Sequence, residues 1–530
     1  MHQAEIIVLL FAAVAVLAVV ACRLALPYPI VLVISGLALS FVPRLPEVRL
    51  NPEIVFYFFL PALLYPAALF TSWRDFRRNL RQILLLAIGL VLATTVTIAW
   101  IAHAIVPGLP WAAAFALGAI VSPPDAIAAT AIIRRLGVPH RIEAILEGES
   151  LVNDATALVA LQFAIAALVT GTFSLGHATI RFTWVAAGGI AFGLLVGLVM
   201  RWVQSHLDDP PIQITVSLLT PFVAYLPAER LHVSGVLATV AAGIFLGWHS
   251  PLIVSARYRL QAFAFWEMVV FLLNGFIFIV IGLQLPGILH ALSGESLIGP
   301  IVTAIIISGA VVLVRIIWVI PATYLPRVVL GLANTARARD PISRRQQAAI
   351  VAWSGMRGVV SLAAAFALPL TLSDGNPFPG RNYILFLTFS VILATLVLQG
   401  LSLPLVIRKL GITDDGEADE EERRARLEAN KAAIELIGKL RASGEFSPDT
   451  VDRLHAEYDE RVEQLQLCAE NPDDCRGEIA TPQYQRLQRE ALRIERQTII
   501  RLRNERVIND DALRRIQRDL DLAEARLTGS

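Results

Sequence analysis

The sequence has few charged residues, few cysteines, and no lysine before Lys409. Only 17% of its 530 residues are charged and 56% are hydrophobic, whereas soluble globular domains are about 25% charged and about 45–50% apolar. This shortage of charge excludes an ordinary soluble protein and indicates a polytopic membrane protein. The three cysteines are Cys22, Cys468 and Cys475. They are scattered, and the last two are not spaced like zinc ligands.

Hydrophobic segments long enough to cross a bilayer recur along residues 1–410. A spanning helix needs about 20 predominantly apolar residues. Thirteen segments fit, of which the second and eighth are short: 4–22, 28–43, 53–71, 82–106, 111–133, 143–170, 182–203, 212–228, 232–249, 264–286, 297–321, 347–370 and 382–407. The sequence therefore predicts an all-α membrane domain with about thirteen transmembrane helices.

Arginines are distributed unequally between alternate loops of this domain. Sixteen lie in loops that follow odd-numbered spans up to the eleventh, and five in loops that follow even-numbered spans. Because cytoplasmic loops carry the excess of basic residues, we expect the N-terminus outside the cell (inner) membrane and the C-terminal tail in the cytoplasm.

The tail, residues 411–530, is acidic, with 28 Asp and Glu against 20 Lys and Arg. Its stretch "EERRARLEANKAAIELIGKL" has helical apolar spacing. The pairs Ser447-Pro448 and Thr481-Pro482 are typical of helix starts, and "AENPDDCRGEIATP" reads as a loop. We expect a helical tail without a ligand motif.

Charged residues inside the predicted spans need an explanation, because an ionised Asp at the bilayer centre costs roughly 3 kcal/mol. Such groups usually face a partner or a wet cavity. In "GAIVSPPDAIAATA", Pro123 and Pro124 interrupt the fifth span and free backbone carbonyls from their helical partners. With the carboxylate of Asp125, these carbonyls form a candidate hard-cation site; the alternative is a simple proline kink.

The sixth span contains "GESLVNDATALV", residues 148–159, which carries two acids. Ser150 and Asp154 are four residues apart and share a helix face. Glu149 and Asp154 are five apart, hence about 140° apart around the helix. We therefore expect Asp154 and Glu149 to have different roles, one lining a cavity and the other pairing with a neighbouring helix.

Arg357, in "WSGMRGVVSLAAAFALP", is the partner that we expect for Glu149 in a structural ion pair. Gly355 and Gly358 flank it and permit a helix break. The interrupted fifth and twelfth spans are seven apart, so they run in opposite directions. This offset predicts inverted repeats, spans 1–6 and 8–13, whose breaks cross near the midplane.

Other polar residues in or near the spans give weaker signals. Glu267 either faces a cavity or the dimer interface, or is a helix-packing acid beside a Trp. Arg315 is expected to pair internally or to extend to the interface, with no role in transport. His103 and His232 are interpreted as residues at loop ends rather than pH sensors.

Four segments together resemble the bacterial sodium/proton antiporters of the monovalent cation:proton antiporter-1 family, relatives of the animal sodium/hydrogen exchangers. They are "SPPDAIAA", "GESLVNDA", "WEMVVFLLNGFIFIVIGLQL" and "GMRGVVSLA". The resemblance runs across most of residues 1–410. It implies two inverted halves, a homodimer, and an elevator-like core that moves against a dimerisation domain.

The resemblance also implies a role for each site residue. Asp154 corresponds to the ion-binding carboxylate and Ser150 to a hydroxyl ligand, while Asn153 and Asp125 support the crossing helices, with Asp125 also in the ion site, and Glu149 and Arg357 form a structural ion pair. Pro124 stands where the family commonly has Thr, so only its carbonyl can coordinate. The Asn-Asp sequence is associated with electroneutral one-for-one exchange.

The expected function is secondary active antiport of Na⁺, or of Li⁺ or K⁺, against H⁺, with roles in pH and sodium homeostasis. A K⁺/H⁺ antiporter is the nearest alternative, followed by a cation channel or a cation-coupled symporter. An intramembrane aspartyl protease is disfavoured because no Gly-x-Gly-Asp segment occurs. We expect no enzyme activity, no resident cofactor, no nucleic acid partner, and a regulatory tail.

Overall fold

The computed structural model describes residues 3–24, 26–41, 51–171, 174–290, 292, 298–328, 344–372, 376–412, 416–443, 446–470, 482–505, 516, 517, 520 and 522. The chain divides into two compact units, Met1–Asp415 and Gly416–Ser530. Regular structure in the described part is helical, apart from an isolated antiparallel bridge between Thr371 and Pro377.

The first half of the membrane unit consists of nine α-helical segments. In chain order they are α1 Gln3–Leu24, α2 Tyr28–Leu39, α3 Pro52–Ile54, α4 Leu60–Phe70, α5 Trp73–Leu84, α6 Val91–Ile105, α7 Trp111–Val121, α8 Ala126–Arg135 and α9 His140–Thr170. Two π-helical stretches, Val55–Phe59 and Leu85–Leu90, join α3 to α4 and α5 to α6. Each joined pair therefore acts as one continuous helix.

The second half begins after a long connecting helix, α10 (Leu175–Ser205). The helices that follow are α11 Pro210–Arg230, α12 Gly235–Ile253, α13 Ala256–Leu283, α14 Leu285–His290, α15 Ile298–Val328, α16 Arg344–Trp353, α17 Val359–Phe366 and α18 Arg381–Lys409.

Ten of the described helices are long and apolar enough to cross a membrane. Two shorter apolar helices, Val8–Leu24 and Tyr28–Leu39, precede them, and the α16–α17 segment is interrupted. The predicted all-α polytopic membrane fold is confirmed, whereas the count of thirteen stays a prediction. One boundary differs clearly: the fourth span was predicted from residue 82, but its helix begins at Trp73, because an amphipathic helical segment, "WRDFRRNLRQIL", precedes the apolar part.

The helices of the membrane unit pack into two groups. The core group consists of α5 to α9 together with α15 to α18, and the scaffold group consists of α1 to α4 together with α10 to α13. Along the chain, scaffold helices are followed by core helices twice, with α10 between the two halves. This order agrees with the predicted inverted repeat.

Small residues allow helices within the scaffold group to approach closely. A Cβ atom on Gly193 of α10 would lie 2.2 Å from the carbonyl oxygen of Ala238 in α12, and one on Gly36 would lie 2.3 Å from that of Ile279. Side chains of any size are excluded at these two positions. Packing through small residues is typical of membrane helices, which lack a hydrophobic driving force between them.

The second unit contains three helices, α19 (Glu417–Ser443), α20 (Pro448–Glu470) and α21 (Pro482–Asn504). α20 and α21 begin at the predicted prolines, and α19 contains the predicted helical stretch, so the expected helical tail is confirmed. Arg441 pairs with Asp452 at 3.1 Å, and an Arg423 guanidinium N–H donates to the Leu465 carbonyl at 3.3 Å. α19 and α20 are therefore antiparallel. Most of the predicted loop "AENPDDCRGEIATP" lies outside the described residues.

Candidate functional site

The two helix interruptions of the core group contact each other directly. α7 ends at Val121 and α8 begins at Ala126, while α16 ends at Trp353 and α17 begins at Val359. The backbone N–H of Asp125 donates to the carbonyl of Met356 at 2.7 Å. The proline pair is therefore a real break in the helix, as expected, and this break meets the one around Arg357.

Asp125 occupies the start of α8. Its Oδ1 accepts the backbone N–H of Ile127 at 2.9 Å, which makes Asp125 the N-cap of this helix. A Cβ atom on Gly358, the N-cap residue of α17, would lie only 1.8 Å from Oδ2 of Asp125. The carboxylate thus lies against the N-termini of two half-helices, where partial positive charge stabilises an anion.

Arg357 lies at the opposite ends of the half-helices. Its Nε donates to the Val121 carbonyl at 3.1 Å, Nη2 to the Ser122 carbonyl at 3.4 Å, and Nη1 to the Gly355 carbonyl. These carbonyls belong to helix C-termini, which lack internal partners and carry partial negative charge. The backbone N–H of Arg357 donates to Thr395 Oγ1 at 3.1 Å. The fully buried guanidinium therefore interacts with helix ends.

The expected pairing of Glu149 with Arg357 is wrong. The partner of Glu149 is Arg315, which binds both carboxylate oxygens: Nη1 to Oε1 at 2.6 Å and Nη2 to Oε2 at 2.9 Å. Nε of Arg315 donates to the Val351 carbonyl at 3.0 Å. Arg315 and Glu149 are 0% and 1% exposed, so this bidentate pair holds α9, α15 and α16 together inside the core group.

The two glycines that flank Arg357 are explained by these contacts. A Cβ on Gly355 would lie 2.2 Å from Cδ of Arg315, and Gly358 faces Asp125 as described above. Both positions therefore need glycine for close approach. The structure confirms the break that these glycines predicted, and it gives each glycine a specific neighbour.

Asn153 connects the sixth predicted span to the first break. Its Nδ2 donates to the carbonyl of Pro124 at 2.8 Å, and its side chain is fully buried. The Pro124 carbonyl has a second lone pair that remains available. The Oδ1 atom of Asn153 has no hydrogen-bond partner among the described residues.

Asp154 lies on a cavity of about 510 Å³, called the Asp154 cavity, with Asp125, Pro124 and Ser150 also in its lining. It extends to Arg134 and Glu147, which pair at 2.7 Å near the end of α8 and the beginning of α9. Asp154 is 7% exposed and has no hydrogen bond or ion pair with any described residue. The Asp154 side chain is therefore nearly buried, and it lines the cavity.

The remaining polar residues take different positions. Glu267 is exposed and lines the Asp154 cavity, so the cavity-facing alternative holds, and the neighbouring Trp266 donates to Ser217 at 3.1 Å. Nδ1 of His103 donates to the Leu109 carbonyl at 2.7 Å, near the end of α6. His232 lies in the turn after α11 with φ of 57°.

Sequence reasoning missed two features of the site. Arg315 was considered without an assigned partner, because a lone arginine in an apolar span does not reveal which neighbouring helix it faces. Asn274 was not singled out, yet it is fully buried and lines the Asp154 cavity. Its position in the quoted segment of the tenth span was the only available signal.

No group of three or more His, Cys, Asp or Glu side chains suited to a bound metal occurs in the described part of the chain. The Asp154 cavity is instead lined by carboxylate side chains such as Asp125 and Asp154, by hydroxyl side chains such as Ser150, and by Pro124. Hard cations prefer such oxygen ligands.

Comparison with known proteins gives consistent results. The family model described as sodium/hydrogen exchanger, transmembrane, matches residues 7–409. A protein of Mycobacterium tuberculosis strain H37Rv, named an uncharacterized Na⁺/H⁺ exchanger, is 38% identical over 528 residues, 98% of this chain and 96% of its own length. The sodium, potassium, lithium and rubidium/H⁺ antiporter of Bacillus subtilis is 33% identical over 467 residues, 83% of this chain and 66% of that protein.

Solved structures show the same fold. The sodium proton antiporter MjNhaP1 from Methanocaldococcus jannaschii, at pH 8, has a TM-score of 0.59 and 20% identity, covering 77% of this chain and 98% of that one. At this identity the likeness concerns the fold alone. Together with the family match over residues 7–409, the observations lead to one conclusion: this chain belongs to the sodium/hydrogen exchanger family.

Proposed function

We propose that this chain is a secondary active antiporter that exchanges Na⁺ for H⁺ across the cell membrane, and that Asp154 is the exchange site. The observation that carries this assignment is the environment of Asp154: it is the one acid of α9's buried part that faces a cavity without a protein partner. Glu149 is neutralised by Arg315, and Asp125 caps a helix.

The mechanism follows from competition at one carboxylate. Asp154 binds either a proton or a cation. Ser150, the Pro124 carbonyl and Asp125 are the nearby oxygen ligands that we assign to the cation. An empty, ionised Asp154 is costly to move through an apolar barrier, so only the protonated or the cation-bound site crosses. Exchange follows because each crossing must carry one ligand or the other.

Exchange is proposed to be electroneutral. Asn153 cannot carry a proton, Glu149 is neutralised by Arg315, and Asp125 is proposed to stay ionised throughout the cycle, so one proton moves for one cation. A cycle that moved one net charge would gain or lose about 2.3 kcal/mol per 100 mV. Clamping the membrane potential should therefore leave the initial rate of Na⁺-driven proton flux unchanged; a strong voltage dependence would bring Asp125 in as a second proton carrier.

Cation choice separates the main function from its alternative. The Bacillus subtilis relative is named for sodium, potassium, lithium and rubidium, so a K⁺/H⁺ antiporter is the second candidate. The experiment is ΔpH-driven proton efflux from proteoliposomes that contain the purified chain, with each alkali cation added in turn. Na⁺ or Li⁺ should dissipate the gradient at lower concentration than K⁺. Dissipation by K⁺ alone would establish the alternative, and cation flux without proton movement would indicate a channel.

The proposal also covers the oligomeric state of the chain and its orientation in the membrane. The chain is proposed to form a homodimer, with its N-terminus outside and residues 411–530 in the cytoplasm, where the acidic tail regulates transport. The arginine distribution supports the orientation. Labelling of Cys22, which is exposed near the end of α1, together with an epitope at the C-terminus, tests on which side each segment lies.

A further inference from the structure

A second cavity lies behind the helix that carries the exchange site. It has a volume of about 510 Å³ and is lined by residues of α5, α9, α10 and α12. α9 contributes Val152, Ala155 and Val159 to it, while Ser150 and Asp154 of the same helix line the Asp154 cavity. We call this second space the apolar cavity. It separates a face of the core group from the scaffold group.

The lining of the apolar cavity suits a hydrocarbon chain. Among the described residues that line it, none is Asp, Glu, Lys or Arg. It extends from Ser234 to His249 along α12, which is about 22 Å at 1.5 Å per residue. One leaflet of the hydrocarbon core is about 15 Å deep, half of a core about 30 Å thick. An acyl chain of one leaflet therefore fits within its length.

Arginines mark one end of this cavity. Trp73 and Leu80 of α5 line it, and Arg77 lies four residues after the first and three before the second, so it shares their helix face. Arg81 is one turn further on. Both arginines are exposed and have no ion pair or hydrogen bond with a described residue. They place two uncompensated positive charges on α5, next to residues that line the apolar cavity.

The aromatic residues place this end at the membrane surface. Trp73 and Trp248 both line the cavity near the arginine end, and Trp is enriched where the hydrocarbon core meets the headgroups. A phosphate at the arginines and a hydrocarbon chain below them is the arrangement of a phospholipid. Because a basic residue near an anionic lipid surface contributes about 1 kcal/mol, a net negative headgroup is favoured over a zwitterionic one.

We propose that the apolar cavity binds an anionic phospholipid, with one acyl chain between α9 and α12 and the phosphate held by Arg77 and Arg81. The lipid occupies the space directly behind the part of α9 that carries Asp154. It therefore fills a gap between the core and scaffold groups that would otherwise have to be filled by protein side chains.

The charge part of the proposal is tested with full-length protein in detergent, by native mass spectrometry and thermal denaturation with phosphatidylglycerol or with phosphatidylcholine of the same chains. The wild type should retain phosphatidylglycerol and melt at a higher temperature with it than with phosphatidylcholine. Arg77→Gln should weaken phosphatidylglycerol binding about fivefold, the equivalent of about 1 kcal/mol. Arg78→Gln is the matched control, since Arg78 is exposed on the same helix about 140° from Trp73.

Binding of the lipid's acyl chain is tested by a substitution that fills the apolar cavity. Ala241→Phe places a ring among the lining residues of α12 and should remove the retained lipid, whereas Ala187→Phe, at an exposed position of α10 outside the lining, should not. Equal losses in Arg77→Gln and Arg78→Gln would show a general attraction of charge and overturn the proposal. Retention of the lipid in folded Ala241→Phe would overturn it as well. If Ala241→Phe does not fold, the comparison of Arg77→Gln with Arg78→Gln decides the matter.

Discussion

Glu149 and Asp154 are two acids in the middle of α9, five residues apart on one helix. Both are carboxylic acids, but their burial and their partners differ. Glu149 is 1% exposed, and both of its oxygens bind Arg315. Asp154 is 7% exposed, lies on a cavity of about 510 Å³ and has no partner among the described residues. The difference follows from a rotation of about 140° around the helix.

This contrast indicates that the role of a carboxylate inside a membrane protein depends on whether it has a charged partner. A carboxylate with a bidentate guanidinium partner is satisfied, and changing its ligand would leave an arginine buried without compensation. A carboxylate that faces a cavity can exchange one small cation for another without disturbing the packing. We therefore propose that the same helix carries a structural acid, Glu149, and an exchanging acid, Asp154, and the following predictions test that division.

The largest expected effect is on folding, from breaking the Glu149–Arg315 pair. Glu149→Gln leaves a buried, uncompensated arginine, and Arg315→Met leaves a buried carboxylate. Each should destabilise the protein by about 3–5 kcal/mol, and the double variant should recover part of that loss. Thermal melting in detergent of the two single variants and the double variant measures the coupling. Independent, additive losses would contradict the pairing.

The next effect concerns the contact between the two helix breaks. Gly358→Ala places a Cβ 1.8 Å from Oδ2 of Asp125, so the breaks must separate, with an expected loss of about 1–3 kcal/mol and slower exchange. Gly309→Ala is the control, since a Cβ there meets nothing within 4 Å in α15. It should be neutral or stabilising. Equal behaviour of the two variants in melting and flux measurements would argue against the close approach.

Ser150 sharpens the comparison, because it follows Glu149 in the chain but shares the cavity with Asp154. Ser150→Ala should leave the melting temperature nearly unchanged. It should raise the cation concentration for half-maximal exchange by about threefold to tenfold, which corresponds to one lost polar contact of about 0.5–1.5 kcal/mol. Concentration curves for Na⁺ in proteoliposomes test this. A change in stability with unchanged cation affinity would place Ser150 with the structural acid.

The smallest expected effect on exchange is that of the tail. Unit 2, Gly416–Ser530, contains helices with surface ion pairs such as Arg441–Asp452 and no apolar helix of membrane-spanning length among its described residues. Truncation after residue 411 should leave the maximal exchange rate intact and shift its pH profile. Folded truncated protein that is inactive at every pH would show that the tail does more than regulate.

The sequence predicted those parts of the site that depend on residue type and local backbone chemistry. The proline pair before Asp125 predicted a helix break, and the glycines beside Arg357 predicted a second one. The helical spacing of Glu149, Ser150 and Asp154 predicted two faces with different roles. Each of these inferences needs only the geometry of one segment.

The sequence did not predict which helices become neighbours. The partner of Glu149 is 166 residues away on α15, and several arginines in apolar segments were chemically suitable. Arg357 was the expected partner, but the C-terminal carbonyls of α7 already compensate its charge. Backbone dipoles of a distant half-helix cannot be read from residue types, so the correct pairing required the packed structure.

The central claim is that Asp154 exchanges ligands whereas Glu149 does not, and the most direct test compares two variants in one assay. Asp154→Asn and the Glu149→Gln/Arg315→Met double variant are reconstituted in proteoliposomes, and Na⁺-induced proton flux is measured per folded protein. The account predicts no exchange in Asp154→Asn, with a melting temperature close to that of the wild type, and measurable exchange in the double variant. Normal exchange by Asp154→Asn, or complete loss in a folded double variant, would contradict it.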